Sequence, residues 1–139
     1  YVPGPLYRRV MTIRFSAIGL VVEDFGRSFE CYRTLGLDLP AEAPDAPHFE
    51  VTAADGVRLM WDTIDSVKSF DPGFEPGTGG PSLAFECGSP GEVDEMYAAL
   101  VAAGCTSAMK PWDAAWGQRY ASLLDPDGHG IDLFAALSE

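Results

Sequence analysis

Two indoles four residues apart, Trp112 and Trp116, lie in the run Lys110-Pro111-Trp112-Asp113-Ala114-Ala115-Trp116-Gly117-Gln118-Arg119-Tyr120, where residues able to hold a ligand are most concentrated. Rings of that size stack on planar molecules through dispersion and complementary quadrupoles, and Arg119 beside them could orient a polar substituent. A second group is Met60 and Asp62, which a period of two puts on one face of an extended segment, with Leu59 and Trp61 on the other. His48 and Phe49 follow a proline-rich stretch, where a ring reaches either the core or the mouth of a cleft. The set Trp112, Trp116, Met60, Asp62, His48, Phe49 and Arg119 is therefore a candidate binding site for a small aromatic molecule, if the fold brings its members to one cleft. The plainer reading of the same residues is indoles covering a core edge, a solvated strand-end carboxylate and a surface ion pair.

Covalent chemistry has no visible home. Serines, cysteines and histidines are scattered, with no G-x-S-x-G elbow and no glycine-rich phosphate loop. Cys31, Cys87 and Cys105 are widely spaced without a C-x-x-C pair, which reads as separate reduced thiols packed as small hydrophobes in a cytoplasmic protein. Of the two histidines, His129 belongs to a turn and is expected in solvent. No catalytic residue, metal or cofactor is assigned. One carboxylate set, Asp62, Glu86 and Asp132, stays open as a metal site if all three face one cleft.

The elements that must position these residues are legible in outline. Thr12 to Val22 is β-branched and apolar with two-residue alternation, a strand. Asp24 caps a helix carrying Phe25, Phe29, Tyr32 and Leu35, and Gly36 ends it. His48 to Ala53 and Val57 to Asp62 are strands joined at Asp55-Gly56. The second half follows the same order: a strand at Ser82 to Cys87, then a capping box Ser89-Pro90-Gly91-Glu92 opening a helix with Val93, Met96, Tyr97, Leu100 and Val101. Strands at Gln118 to Leu124 and Gly130 to Ala135 close the chain around Asp125-Pro126-Asp127-Gly128. A shift of 65 lays Ala17 on Ser82, and one of 72 lays Met60 on Asp132, so the chain reads as a tandem repeat. Residues 70–81, rich in Gly and Pro, read as the linker between modules of about 12–70 and 81–137. The first ten residues read as a cloning remnant or an N-terminal extension, leaving 11–139 as one domain.

Ile18-Gly19-Leu20-Val21-Val22-Glu23-Asp24, the helix end Tyr32-x-x-Leu35-Gly36-Leu37 and the closing Asp125-Pro126-Asp127-Gly128-x-x-x-Asp132-Leu133-Phe134 resemble the glyoxalase, bleomycin-resistance and dioxygenase superfamily, the vicinal oxygen chelate fold. Arg58-Leu59-Met60-Trp61-Asp62-Thr63 and the tryptophan run look most like its mitomycin-resistance drug-binding branch. The resemblance implies an α+β fold of two tandem βαβββ modules forming an open, barrel-like cleft in a homodimer. It also implies metal-ligand positions at Ala17, Met60, Ser82 and Asp132, three of which cannot ligate a catalytic ion. The expected function is therefore metal-independent sequestration of a planar aromatic or quinone-type natural product, for antibiotic self-resistance or carriage. The alternative is a metal-assisted lyase, isomerase or dioxygenase.

Composition narrows the partners further. In 139 residues, 9 Lys+Arg stand against 21 Asp+Glu for a net charge of −12, which repels a polyanion. At 47% hydrophobic and 22% charged, with no run of eighteen apolar residues, the chain reads as a globular domain without nucleic-acid or membrane partners.

Overall fold

The computed structural model describes residues 15–53, 56–77 and 82–137. In chain order these form β1 (Ala17–Val22), α1 (Phe25–Thr34), β2 (His48–Thr52), β3 (Arg58–Thr63), α2 (Ile64–Phe70), β4 (Leu83–Glu86), α3 (Pro90–Ala102), β5 (Thr106–Ala114), β6 (Gln118–Leu124) and β7 (Gly130–Ala136). Among the described residues there are two sheets, ordered β1-β3-β2 and β4-β7-β6-β5, and no closed barrel. In each, the first strand runs parallel to the last and the remaining pairings are antiparallel.

Capping fixes the helix starts. The Asp24 carboxylate accepts from the Arg27 amide at 3.0 Å. Ser89 Oγ accepts from the Glu92 amide at 3.2 Å, while the Glu92 carboxylate reaches back to the Gly88 amide at 2.6 Å. Gly36, with φ at 100°, lets the chain leave α1 through a left-handed turn that a side chain would strain. Alternation then sorts the strands. Ile131, Leu133 and Ala135 of β7 and Ala121 and Leu123 of β6 point toward α3, and Leu59 and Trp61 of β3 point toward α1. Trp61 is completely buried and donates its indole N–H to Ser28 Oγ at 2.9 Å, the partner a buried indole needs.

The halves are joined through α1, α3 and the turn before β7, and one cluster of buried residues runs through both. Tyr32 donates to Asp125 Oδ2 at 2.8 Å, and Asp125 Oδ1 accepts from the amides of Asp127 and His129. The Glu23 amide donates to Asp127 Oδ1 at 2.8 Å, and His129 Nε2 donates to the Val21 carbonyl at 3.0 Å. His129 is therefore a half-buried tie between the sheets, not a solvated turn residue. A disulfide between Cys31 and Cys105 adds a covalent link, so these two cysteines are not separate thiols; Cys87 is free and half-buried.

Three elements differ from expectation. Residues 106–114, expected as a connection, form an edge strand. Its outward residues lack alternation, and Pro111 is tolerated because an edge needs no donor there. Helix α2, capped by Thr63 Oγ1 on the Ser66 amide at 3.1 Å, precedes the Gly/Pro stretch and carries one buried residue, Val67. The first half contributes βαββ among the described residues where βαβββ was expected, the second βαβββ. The expected strand residues 12–14 and the turn residue Asp55 lie outside the described residues. No helix among the described residues is long and apolar enough to cross a membrane.

Candidate functional site

On each sheet the face opposite the helices holds the residues able to do chemistry. The register of the second sheet sets one row across four strands: Glu86 beside Phe134, Phe134 beside Tyr120, and Tyr120 beside Trp112. Directly paired residues share a face, and Tyr120 and Phe134 alternate with buried Ala121, Leu133 and Ala135, so the row stands on the open side. Trp116, in the turn after β5, sits edge-on to both Trp112 (centroids 5.5 Å, planes 90° apart) and Tyr120 (5.6 Å, 75°). Its indole N–H donates to Gln118 Oε1 at 2.9 Å, fixing the ring although 60% of the residue is exposed. The tight turn that delivers it uses Gly117 at φ 92°.

The next row holds Ala84, Asp132, Ser122 and Met109. Both carboxylate oxygens of Asp132 are occupied, one by the Tyr120 hydroxyl at 2.5 Å and one by Ser122 Oγ at 3.0 Å. The hydrogen bond to Asp132, helped by burial, pushes the Tyr120 phenol up to about 12, so it is a neutral donor at any ordinary pH.

The open face of the first sheet carries charges that satisfy one another. His48 holds Glu50 Oε2 through Nε2 and Asp62 Oδ1 through Nδ1, each at 2.8 Å. Both ring nitrogens face carboxylates, an arrangement that favours the imidazolium, and these bonds, Glu50 first, raise its pKa. Arg58 closes the network on Glu50 Oε1 at 2.6 Å and on Ser16 Oγ at 3.1 Å. The His48 and Arg58 bonds hold the Glu50 carboxyl below its usual range. Met60 lies between these groups, its methyl 3.8 Å from where a Cβ on Gly19 would stand. A separate depression of about 170 Å³ is lined by Gly19, Val21, Ile64, Phe74, Asp127 and His129. Asp127 Oδ2 is buried there with no hydrogen-bond partner among the described residues, and burial raises its carboxyl.

Of the seven residues singled out from the sequence, Trp112 and Trp116 come together on the second sheet, and Met60, Asp62 and His48 on the first. Among the described residues no hydrogen bond or ring contact joins the two groups. Phe49 turns into the core against Phe29 (5.1 Å) and Trp61 (6.5 Å). Arg119 shares the helix side with Ala121 and binds Asp94 of α3 and Asp113, each at 3.0 Å, so it is spent on an ion pair away from the rings. Tyr120, Phe134 and Gln118 were missed as site residues, and Glu86 was weighed only as one of three carboxylates for a metal. Period-two counting from the Asp125-Pro126 turn puts Tyr120 and Phe134 on one face, but their meeting with Trp112 needs the unrecognised strand β5.

A catalytic metal does not suit this donor set. The four family positions hold a methyl, a thioether, a hydroxyl and a carboxylate, the last already accepting two hydrogen bonds. Asp62 is engaged with His48 on the other sheet from Glu86 and Asp132. Among the described residues no group of three His, Cys, Asp or Glu is placed to hold an ion.

Two sheets of this topology with flanking helices recur in solved structures. The chain matches a glyoxalase-related enzyme from Fulvimarina pelagi with a TM-score of 0.76 at 21% identity, covering 89% of this chain and 88% of that one. It matches a glyoxalase/bleomycin resistance protein/dioxygenase from Nocardioides with a TM-score of 0.69 at 25% identity, over 97% and 93%. A third, a glyoxalase/bleomycin resistance protein/dioxygenase family enzyme from Burkholderia phytofirmans, gives 0.74 at 16%, over 90% and 100%. No curated protein matches the chain. The model of the Glyoxalase/Bleomycin resistance protein/Dioxygenase superfamily matches residues 14–133, and the chain belongs to that superfamily.

Proposed function

We propose that the chain is a binding protein that holds a flat aromatic small molecule against the open face of the second sheet, without making or breaking a bond. The observation that carries this reading is the Trp112, Trp116 and Tyr120 cluster, three rings set edge to face with both indoles exposed to solvent. Edge-to-face packing leaves ring faces unpaired, and a planar guest supplies the missing contact. Each stack adds about 0.5 to 1.5 kcal/mol beyond burial. Covering about 250 Å² of apolar ligand surface offers roughly 6 kcal/mol before association costs. Micromolar binding needs about 8 kcal/mol, which two stacks and a closed rim can approach. The mitomycin-resistance-like motifs favour a planar aromatic or quinone-type natural product and a role in self-resistance or carriage. A second copy completing the cleft as a homodimer suits the exposed edge strands β4 and β5. The tandem-repeat origin is part of this reading: offsets of 65 and 72 carry the pair Gly19 and Met60 onto the pair Ala84 and Asp132. The metal-assisted alternative draws no support from the donor set.

The test is a titration of intrinsic fluorescence with planar antibiotics and their precursors, in wild type, Trp112→Ala and Trp116→Ala. Loss of a stacking indole should weaken binding by about 1 to 3 kcal/mol, roughly five- to a hundredfold, with the fold intact. Unchanged affinity in both folded variants would make the cluster structural and end the proposal.

A further inference from the structure

We infer that this aromatic face selects planar organic cations over neutral and anionic rings, with Glu86 as the near counter-charge. The inference rests on the stacking reading above and adds the charge of the ligand. Glu86 is exposed at the end of β4 and heads the row that continues through Phe134 and Tyr120 to Trp112. With strands about 4.8 Å apart, that row runs roughly 14 Å from carboxylate to indole, so a ligand lying over Phe134 and Tyr120 touches rings below and a carboxylate at its edge. Asp132 stands one row along, its two carboxylate oxygens accepting from the hydroxyls of Tyr120 and Ser122.

The rings reinforce the same sign. Their faces carry the negative part of the quadrupole, and a cation within about 6 Å of a ring centroid is attracted by it. The basic residues of this sheet do not cancel the effect. Arg119 points to the helix side and is held by Asp94 and Asp113. Lys110 lies exposed in the irregular stretch of β5 between Met109 and Trp112, outside the two paired rows. A neutral quinone would gain stacking alone. An anionic ring would meet π faces and two carboxylates.

Three fused tricyclic probes of nearly equal size and different charge separate the terms: 10-methylacridinium, acridine at pH 8 where the ring is neutral, and anthracene-9-carboxylate. The expected order of affinity is cation, neutral, anion, with at least a tenfold step from cation to neutral, about 1.4 kcal/mol. Glu86→Gln should cut that step at least threefold and leave acridine unchanged. Glu95→Gln, the same charge change on the exposed side of α3, should leave the step intact. Equal affinities for all three probes would overturn the cation preference and leave the stacking reading standing. Equal losses in Glu86→Gln and Glu95→Gln would also overturn it, because the overall charge of −12 would then be the cause. Failure of every probe to bind would refute both.

Discussion

Removing a single oxygen from Tyr32 should loosen the joint between the two halves. The ring is completely buried, edge-on to Trp61 at 5.6 Å, and its hydroxyl donates at 2.8 Å to Asp125 Oδ2. Asp125 is only 3% exposed, and its other oxygen already accepts from two backbone amides. Tyr32→Phe keeps the ring contact and leaves Oδ2 without a donor in a place water does not reach. A hydrogen bond to a charged group contributes about 1.5 to 3 kcal/mol, and stranding a buried acceptor puts the loss toward the upper end. For a domain of this size that is a fall in Tm of about 5 to 12 °C. Urea unfolding followed by tryptophan fluorescence reads the change as a shift in midpoint at constant slope. A loss below about 0.5 kcal/mol, the scale of an ordinary surface substitution, would mean that the turn reorganises and that the joint is not held this way.

Other perturbations have equally definite outcomes. His48 has a folded pKa raised by Glu50 and Asp62, so its contribution to stability is complete below about pH 6.5 and fades as pH rises through the folded value. Wild type should therefore lose stability relative to His48→Gln between pH 6 and 9, modestly because the site is exposed to solvent, and NMR titration of His48 should show a midpoint above 6.5; a midpoint at or below 6.5 would rule the network out. The Cys31–Cys105 bridge spans 74 residues, for which the loop-entropy model gives a stabilisation of about 4 kcal/mol. Unfolded, unreduced protein should then titrate as one thiol, Cys87, and reductant should lower the denaturation midpoint; three titratable thiols would refute the pairing. Sedimentation should show two 14.9 kDa chains together at micromolar concentration, and a monomer alone would defeat the dimer.

Much of this architecture is written locally. The strand and helix of each half were readable because Asp24 and Ser89 cap, Gly36 and Gly104 break, and Leu59 and Trp61 alternate with Met60 and Asp62. What escaped depends on partners distant in sequence. Strand β5 is exposed at most positions and interrupted by Pro111, so nothing within residues 106–114 marks it as a strand; its pairing with β6 does. Arg119 looked like a ligand contact because it neighbours the indoles in sequence, yet adjacent residues on a strand face opposite ways, and Asp94 of α3 was there to take it. The cysteine pair was invisible for a similar reason: Cys31 and Cys105 meet only because α1 and α3 pack together.

The two open faces differ in what their paired polar groups leave exposed to solvent. On the first sheet His48 sits between two carboxylates and Arg58 closes the circuit, so a flat apolar guest there would strip water from paired charges and give little in return. On the second, the polar atoms inside the ring patch are also paired, Tyr120 and Ser122 with Asp132 and Trp116 with Gln118, but here the pairing leaves large ring surfaces in solvent. Desolvation would then favour a flat apolar guest on the second sheet and oppose one on the first. The Asp132 carboxylate illustrates the change. At a position where the superfamily resemblance implies a metal ligand, its oxygens are taken by two hydroxyls, and the same bond that occupies it sets the Tyr120 ring at the centre of the aromatic row. A residue type suited to holding an ion here positions a ring, and Asp132→Ala should accordingly weaken stacking at Tyr120 more than any substitution of Met60, Asp62 or His48 on the opposite sheet.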